Sequence, residues 1–369
     1  MSKKDLHHTN SALNIQAGIE QPSQINPNAI LGTNRFKKTK INVLDIYKGI
    51  LSGDITLLSR GITLIESSLQ SDKADAQKLI QLCLPHSGKS LRIGITGVPG
   101  VGKSTFIETF GLNLINDGNK VAVLAIDPSS TRTKGSILGD KTRMETLSIN
   151  QNAFIRPSAS KGTLGGVARA TREALILCEA AGYNIVLVET VGVGQSETAV
   201  SQLVDFFLLL MLAGGGDELQ GIKRGIMEMA DLIVINKADG DNITKAKLAA
   251  TGYKNALHLF PALPNGWTPD VLTASAIGNT GLNHVWDKIN EFITHTQKNG
   301  CFDDNRRKQS LNILTDTIDE KLKSSFYNQQ AISELMENYK KKIFNPSSKS
   351  ENINPYEIAQ LLLDKYFKI

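Results

Sequence analysis

The sequence predicts an α/β fold: a mostly parallel sheet with helices on both faces, extended by helical segments before and after it. Three observations carry that prediction. Short apolar runs recur from Leu91 to about Gln297, with helical stretches between them. Most of these runs are continuously apolar, the pattern of strands buried on both faces. Glycine-rich and polar segments follow the ends of the runs, where ligands sit in parallel sheets.

In chain order, residues 1–40 are rich in Asn, Gln, Ser, Lys and Pro and predict a flexible leader. Residues 41–90 predict a helical region. Ile50, Leu51, Ile55, Leu58, Ile62, Leu64 and Ile65 fall at helical spacing, and Ser52-Gly53-Asp54 supplies a break and a cap. A nucleotide-binding domain follows over 91–300, with strands at 92–96, 121–126, 184–189, 206–212, 231–236 and 271–274. Strand and helix in alternation imply right-handed crossovers. Residues 301–369 carry three helical patterns, broken near Asn328 and around Asn345-Pro346-Ser347-Ser348. Ile313, Leu322, Leu335, Leu361, Leu362 and Leu363 give this tail apolar faces, suited to a cap on the sheet or to an arm that pairs two copies.

The 369 residues are 41% hydrophobic and 21% charged, the composition of an ordinary globular protein long enough for a full core. Lys plus Arg is 41 against 36 for Asp plus Glu, too small an excess for a nucleic-acid partner. Lys340-Lys341-Lys342 reads as a solvated helix face. Cys83, Cys178 and Cys301 have no metal-like spacing and imply a reducing compartment. The start, Met1 to His8, has no apolar stretch behind it. The run Phe206 to Ala213 falls well short of the ~20 residues that cross a bilayer. The expectation is a soluble, cytoplasmic protein with no membrane partner.

Residues Gly97-Val98-Pro99-Gly100-Val101-Gly102-Lys103-Ser104 match G-x-x-x-x-G-K-[ST] in full, between a strand and the helical Thr105-Phe106-Ile107-Glu108. This is a P-loop. Its glycines let successive backbone N–H groups converge on phosphate oxygens, and the helix N-terminus adds positive charge. Lys103 reaches the β- and γ-phosphates, and the Ser104 hydroxyl is a Mg²⁺ ligand. The chain is expected to bind a nucleoside triphosphate.

Asn236-Lys237-Ala238-Asp239 follows the largely apolar run 231–235 as N-K-x-D. A carboxylate at Asp239 accepts from guanine N1–H and the 2-amino group. Adenine offers no such pair, and a buried carboxylate without donors costs on the order of several kcal/mol. Asn236 braces the loop and faces N7, and the Lys237 stem covers the ring. Ser275-Ala276-Ile277, after the strand 271–274, suits a loop offering backbone N–H to guanine O6. GTP, rather than ATP, is expected.

Glu189-Thr190-Val191-Gly192-Val193-Gly194-Gln195 ends another strand, where small GTPases carry D-x-x-G and then glutamine. Val193 cannot orient a water, so slow intrinsic hydrolysis is expected, with Gln195 as the stand-in candidate and acceleration by a partner or by dimerisation. Asp127, in Asp127-Pro128-Ser129-Ser130, ends a strand pointing toward the phosphate loop, where Mg²⁺ takes oxygen ligands. Asp140 is a second loop candidate.

Together these segments resemble one family, the methylmalonyl-CoA mutase-associated GTPases, also labelled lysine-arginine-ornithine transport kinases. The likeness spans about 45 to 345. It includes Gly97–Thr105, Ala125–Ser130, Ser136–Met144, Phe154–Ser158, Gly162–Ala168, Glu189–Glu197 and Gly215–Lys223. The resemblance implies a G domain of the SIMIBI type and a dimerising chaperone. Such a protein gates adenosylcobalamin delivery to methylmalonyl-CoA mutase and protects that enzyme. It also implies that Ser104, Asp127, Asp140 and Glu189 surround Mg²⁺. Gly215–Lys223 would be an extra switch, from which Lys223 or Arg224 supplies charge during hydrolysis. The leader before residue 41 lies outside the likeness. Two other readings compete: a kinase for amino-acid transport, and a nickel-delivering GTPase with the same core, though the nucleotide domain has no Cys/His metal motif.

Overall fold

The computed structural model describes residues 41–67, 69–127, 144–159, 164–190, 196–214, 224–261, 263–344 and 354–367. Within Val43–Ile369, one compact unit, the described residues form a seven-stranded sheet in the order β3-β2-β4-β1-β5-β6-β7. The strands are β1 (Leu91–Gly97), β2 (Val121–Asp127), β3 (Ala153–Ala159), β4 (Ile185–Thr190), β5 (Phe206–Leu212), β6 (Leu232–Asn236) and β7 (Asp270–Thr273). Every neighbouring pair is parallel.

Six of these strands match the predicted ones to within a residue or so; β3 was not predicted. Its sequence, Ala-Phe-Ile-Arg-Pro-Ser-Ala, is interrupted by Arg156 and Pro157 and lacks a continuous apolar run. Among the described residues it pairs only with β2, at the sheet edge, which is where a proline with no N–H to donate is tolerated.

The central strand β1 is flanked by β4 and β5, and the connection from β4 to β5 passes over it. Crevices form at such reversals, at the carboxyl ends of the strands. Residues 97, 127, 190 and 236 all end strands on that edge.

Both faces of the sheet are covered. On one, Phe106, Phe110 and Leu114 of α4 (Lys103–Asn116) and Val285, Ile289 and Phe292 of α10 (Leu282–Lys298) join Ile93, Ile95, Leu208, Leu210 and Val234 in the larger core. Phe292 meets Phe206 edge-on at 5.0 Å. On the other, Ala246 and Tyr253 of α9 (Ile243–Leu257) pack on Leu209, Met211, Ile233, Ile235 and Val271.

Ahead of the sheet lie α1 (Val43–Leu51), α2 (Ile55–Ile65) and α3 (Gln70–Cys83). Asp54 caps α2, accepting from Thr56 N at 2.8 Å and Leu57 N at 3.0 Å, as its place after Ser52-Gly53 predicts. The three helices pack on α6 (Leu164–Ala180). The short helices α5 (Glu145–Ser148), α7 (Ser196–Ser201) and α8 (Arg224–Met229) lie between strands. After α10 come the 28-residue α11 (Cys301–Asn328), then α12 (Gln330–Phe344) and α13 (Pro355–Phe367), with the predicted break at Asn328.

A buried polar network fixes α11 to the base of the sheet. Arg306 pairs with the Asp205 carboxylate (2.6 Å) and donates to Ser90 O (2.7 Å). Gln309 donates to Val204 O at 2.8 Å. Arg92 of β1 pairs with Glu179 of α6 at 2.7 Å, and Asp205 accepts the Arg92 backbone N–H at 2.8 Å. No helix among the described residues is long and apolar enough to cross a membrane.

Candidate guanine-nucleotide site

The P-loop leaves β1 at Gly97 and enters α4 at Lys103. Two of its glycines are dictated by geometry. Gly97 has φ +153°, and a Cβ there would stand 2.4 Å from Leu210 O of the neighbouring strand. Gly102 has φ +91°, and its Cβ would lie 3.1 Å from Asn236 Nδ2. A Cβ at Gly97 would collide with strand backbone, and at Gly102 the left-handed φ disfavours any side chain.

Lys103 is almost fully buried at the head of α4. Its ammonium donates to Gly97 O at 2.8 Å and Val98 O at 3.3 Å, so it lies across the mouth of the loop. Burial pushes its pKa below the usual lysine value, and the charges of Glu189 and Glu197 oppose that shift. Ser104 Oγ donates to Glu189 Oε1 at 3.2 Å. Glu189 sits near the end of β4 and is itself buried. A serine hydroxyl and a carboxylate side by side at the phosphate loop are hard oxygen donors, the set that suits Mg²⁺. Asp127 ends β2 on the same sheet edge: in the β2–β4 register Ala125 lies opposite Glu189, two residues before Asp127. Asp140, Gln195 and Lys223 fall outside the described residues, as do residues 1–40, 128–143, 191–195 and 215–223.

The other half of the candidate site is built at the ends of β6 and β7. Asn236, buried, donates through Nδ2 to Val101 O at 2.9 Å. Lys237 adopts φ +58° and its ammonium reaches Gly100 O at 2.8 Å, laying the stem along the loop. Asn242 donates to Lys237 O at 2.7 Å, and Ala238 N to Ala274 O at 3.0 Å, which fixes the Asn236–Asp239 turn. Ser275 Oγ donates to the Asp239 carboxylate in a short bond. Ala276 is buried, whereas Ile277 is exposed on the loop beyond it. The structure therefore brings Gly97–Thr105, Ser104 with Glu189, and Asn236, Lys237 and Asp239 with Ser275 to one edge of the sheet.

The sequence-derived set omitted Glu197. It opens α7 directly after the Glu189 segment, is fully buried, and its charge bears on Lys103. An acid in the first turn of a short helix reads as a cap; only the approach of α7 to the P-loop gives it another environment.

Comparison with known proteins agrees with this geometry. The family model described as "Methylmalonyl Co-A mutase-associated GTPase MeaB" matches residues 58–331. The Escherichia coli "GTPase ArgK" is 50% identical over 270 residues, 73% of this chain and 82% of that one. A mouse protein, "Methylmalonic aciduria type A homolog, mitochondrial", is 44% identical over 333 residues, 88% of this chain and 79% of the other. The solved structure titled "Crystal structure of LAO/AO transport system kinase" superposes with a TM-score of 0.68 at 36% identity, covering 90% of this chain and 100% of that one. With a P-loop, an N-K-x-D turn and matches over most of its length, this chain belongs to the methylmalonyl-CoA mutase-associated GTPases and is a GTP hydrolase.

Proposed function

We propose that the chain is a nucleotide-gated chaperone of methylmalonyl-CoA mutase. It would hydrolyse GTP to GDP and phosphate to time adenosylcobalamin delivery and to protect the mutase. The observation that carries the guanine half of this reading is the Asp239–Ser275 bond beside Asn236, itself bonded to the P-loop. The mutase half rests on family membership.

In this reading the backbone N–H groups of 97–105 and the Lys103 ammonium neutralise the polyphosphate. Lys103 exchanges its bonds to Gly97 O and Val98 O for phosphate oxygens. Ser104 and Glu189, with Asp127 and Asp140, would hold Mg²⁺, which would supply charge neutralisation to the polyphosphate. Water attacks the γ-phosphorus, and the bond to the β–γ bridging oxygen breaks. GDP leaves with that electron pair, and the water's protons end on phosphate and solvent. Gln195 would orient the water and Lys223 would contribute charge, with residues 127–143 and 189–197 rearranging as phosphate departs.

The exposed Leu311, Leu314, Ile318 and Leu322 recur at helical spacing along α11 and support a homodimer formed through the C-terminal arm. A cytoplasmic location accords with the cysteine usage. The kinase named in the solved structure's title is the second reading, and γ-labelled GTP separates the two. Label recovered as free phosphate supports the GTPase chaperone, and label moved to protein supports the kinase. Capture from native extract with a non-hydrolysable GTP analogue tests the partner. The mutase should co-purify, and its absence in every nucleotide state overturns the chaperone assignment.

A further inference from the structure

The loop that follows β7 is held by more than its strand. Ser275 N donates to Thr280 O at 2.9 Å and Thr280 N to Ser275 O at 3.0 Å, closing a six-residue turn. Inside it, Gly278 N donates to Ser275 Oγ at 3.0 Å, and the same hydroxyl donates to Asp239. Ser275 is fully buried, so the orientation of the Asp239 carboxylate depends on where this turn sits.

The turn is in its own right bonded to α4, the helix that begins with Lys103. Thr109 Oγ1 lies 3.0 Å from Ala276 O and 3.2 Å from Thr105 O within its helix. One turn farther along, Asn113 and Asn279 face each other amide to amide. Asn113 Nδ2 donates to Asn279 Oδ1 at 2.7 Å, and Asn279 Nδ2 returns a bond to Asn113 Oδ1 at 3.3 Å. Asn279 holds φ +47°, a left-handed conformation that asparagine tolerates better than most residues. Helical threonines commonly bond their own i−4 carbonyl, which accounts for Thr105 O. The Ala276 carbonyl lies 167 residues away and needs another explanation.

We propose that Thr109 and Asn113 are positioning residues for guanine recognition. They fix the 275–280 turn on the phosphate-gripping helix and so keep Asp239 in register with the purine edge. This rests on the reading of Asn236–Asp239 as the base-recognition turn. Discrimination by a carboxylate depends on direction as well as charge, because hydrogen bonds weaken steeply once bent. A helix anchored at one end to the polyphosphate grip and along its side to the base turn sets the distance between them.

The test is competition against a fluorescent GDP analogue by GTP, ATP and inorganic tripolyphosphate. It compares the wild type, T109V/N113A and T109S. The double variant should bind GTP about tenfold more weakly, from the loss of a few modest hydrogen bonds, and keep tripolyphosphate affinity within about twofold. Its GTP-over-ATP preference then narrows. T109S, which keeps the hydroxyl, should match the wild type. N279G, which removes the amide from the exposed turn while keeping its φ accessible, should narrow the preference about threefold and serves if the double variant does not fold. An unchanged GTP-over-ATP ratio in T109V/N113A and N279G overturns the proposal, as does an equal loss of GTP and tripolyphosphate. A wild type without GTP preference is a separate result that removes the guanine reading itself.

Discussion

Asn236 donates its side-chain amide to the Val101 carbonyl at 2.9 Å, across 135 residues of sequence. The end of β6 and the P-loop are thereby one bonded unit. Gly102 permits the approach, since a Cβ there would crowd the same amide at 3.1 Å.

Asn236→Ala leaves the Val101 carbonyl without this donor in a buried place. Losing a buried hydrogen bond with its partner left behind costs about 1–3 kcal/mol, so GTP and GDP should both bind about 5- to 150-fold more weakly. Equilibrium titration with a fluorescent GDP analogue measures it. A loss confined to one of the two nucleotides contradicts the shared brace.

Asp239→Asn replaces a two-fold acceptor with a group that both donates and accepts. Guanine then meets a donor where it needs an acceptor, whereas xanthine, with a carbonyl at that position, fits. The preference should move from GTP to xanthosine triphosphate, read from kcat/KM on each. Retention of the wild-type order would remove Asp239 from base recognition.

Arg306→Ala strands the Asp205 carboxylate, whose side chain is wholly inaccessible. Breaking a buried pair by removing one partner costs about 3–5 kcal/mol. Arg306→Lys keeps charge but not the two-pronged contact with Asp205 and Ser90 O, and should lose less. Guanidinium chloride unfolding gives both values. Equal destabilisation by the two variants would show that charge contributes nothing.

Asp231, just before β6, accepts from Phe207 N at 2.8 Å. Burial nonetheless pushes its carboxyl pKa up from 3.8 to about 7. A carboxyl whose folded value is raised favours the fold while protonated. Its contribution is full below 3.8, declines as pH rises toward about 7 and is flat beyond. Asp231→Asn, which keeps an acceptor for Phe207, should remove that part of the slope between pH 5 and 7. Urea midpoints across pH 5–8.5 compare the two, and parallel curves would contradict the assignment.

Much of this molecule was legible in its sequence, and the exceptions share a cause. β4 and β5 declared themselves because both faces are buried, which forces apolar residues at consecutive positions. The P-loop and the Asn236–Asp239 turn are contiguous, so spacing alone identifies them. β3 was hidden because an edge strand tolerates Arg156 and Pro157. The Arg306–Asp205 pair, the Thr109–Ala276 bond and the burial of Glu197 were hidden because each joins residues remote in sequence. No local pattern encodes a contact that only the packing of α11, α4 or α7 creates.

Guanine selection in the proposed function rests on Asp239, beside the phosphate loop. Isothermal titration of the full-length wild-type protein with GTP and then ATP tests this most directly. At least a hundredfold preference for GTP, about 2.7 kcal/mol, is the expected result. Equal affinity for the two nucleotides would contradict it.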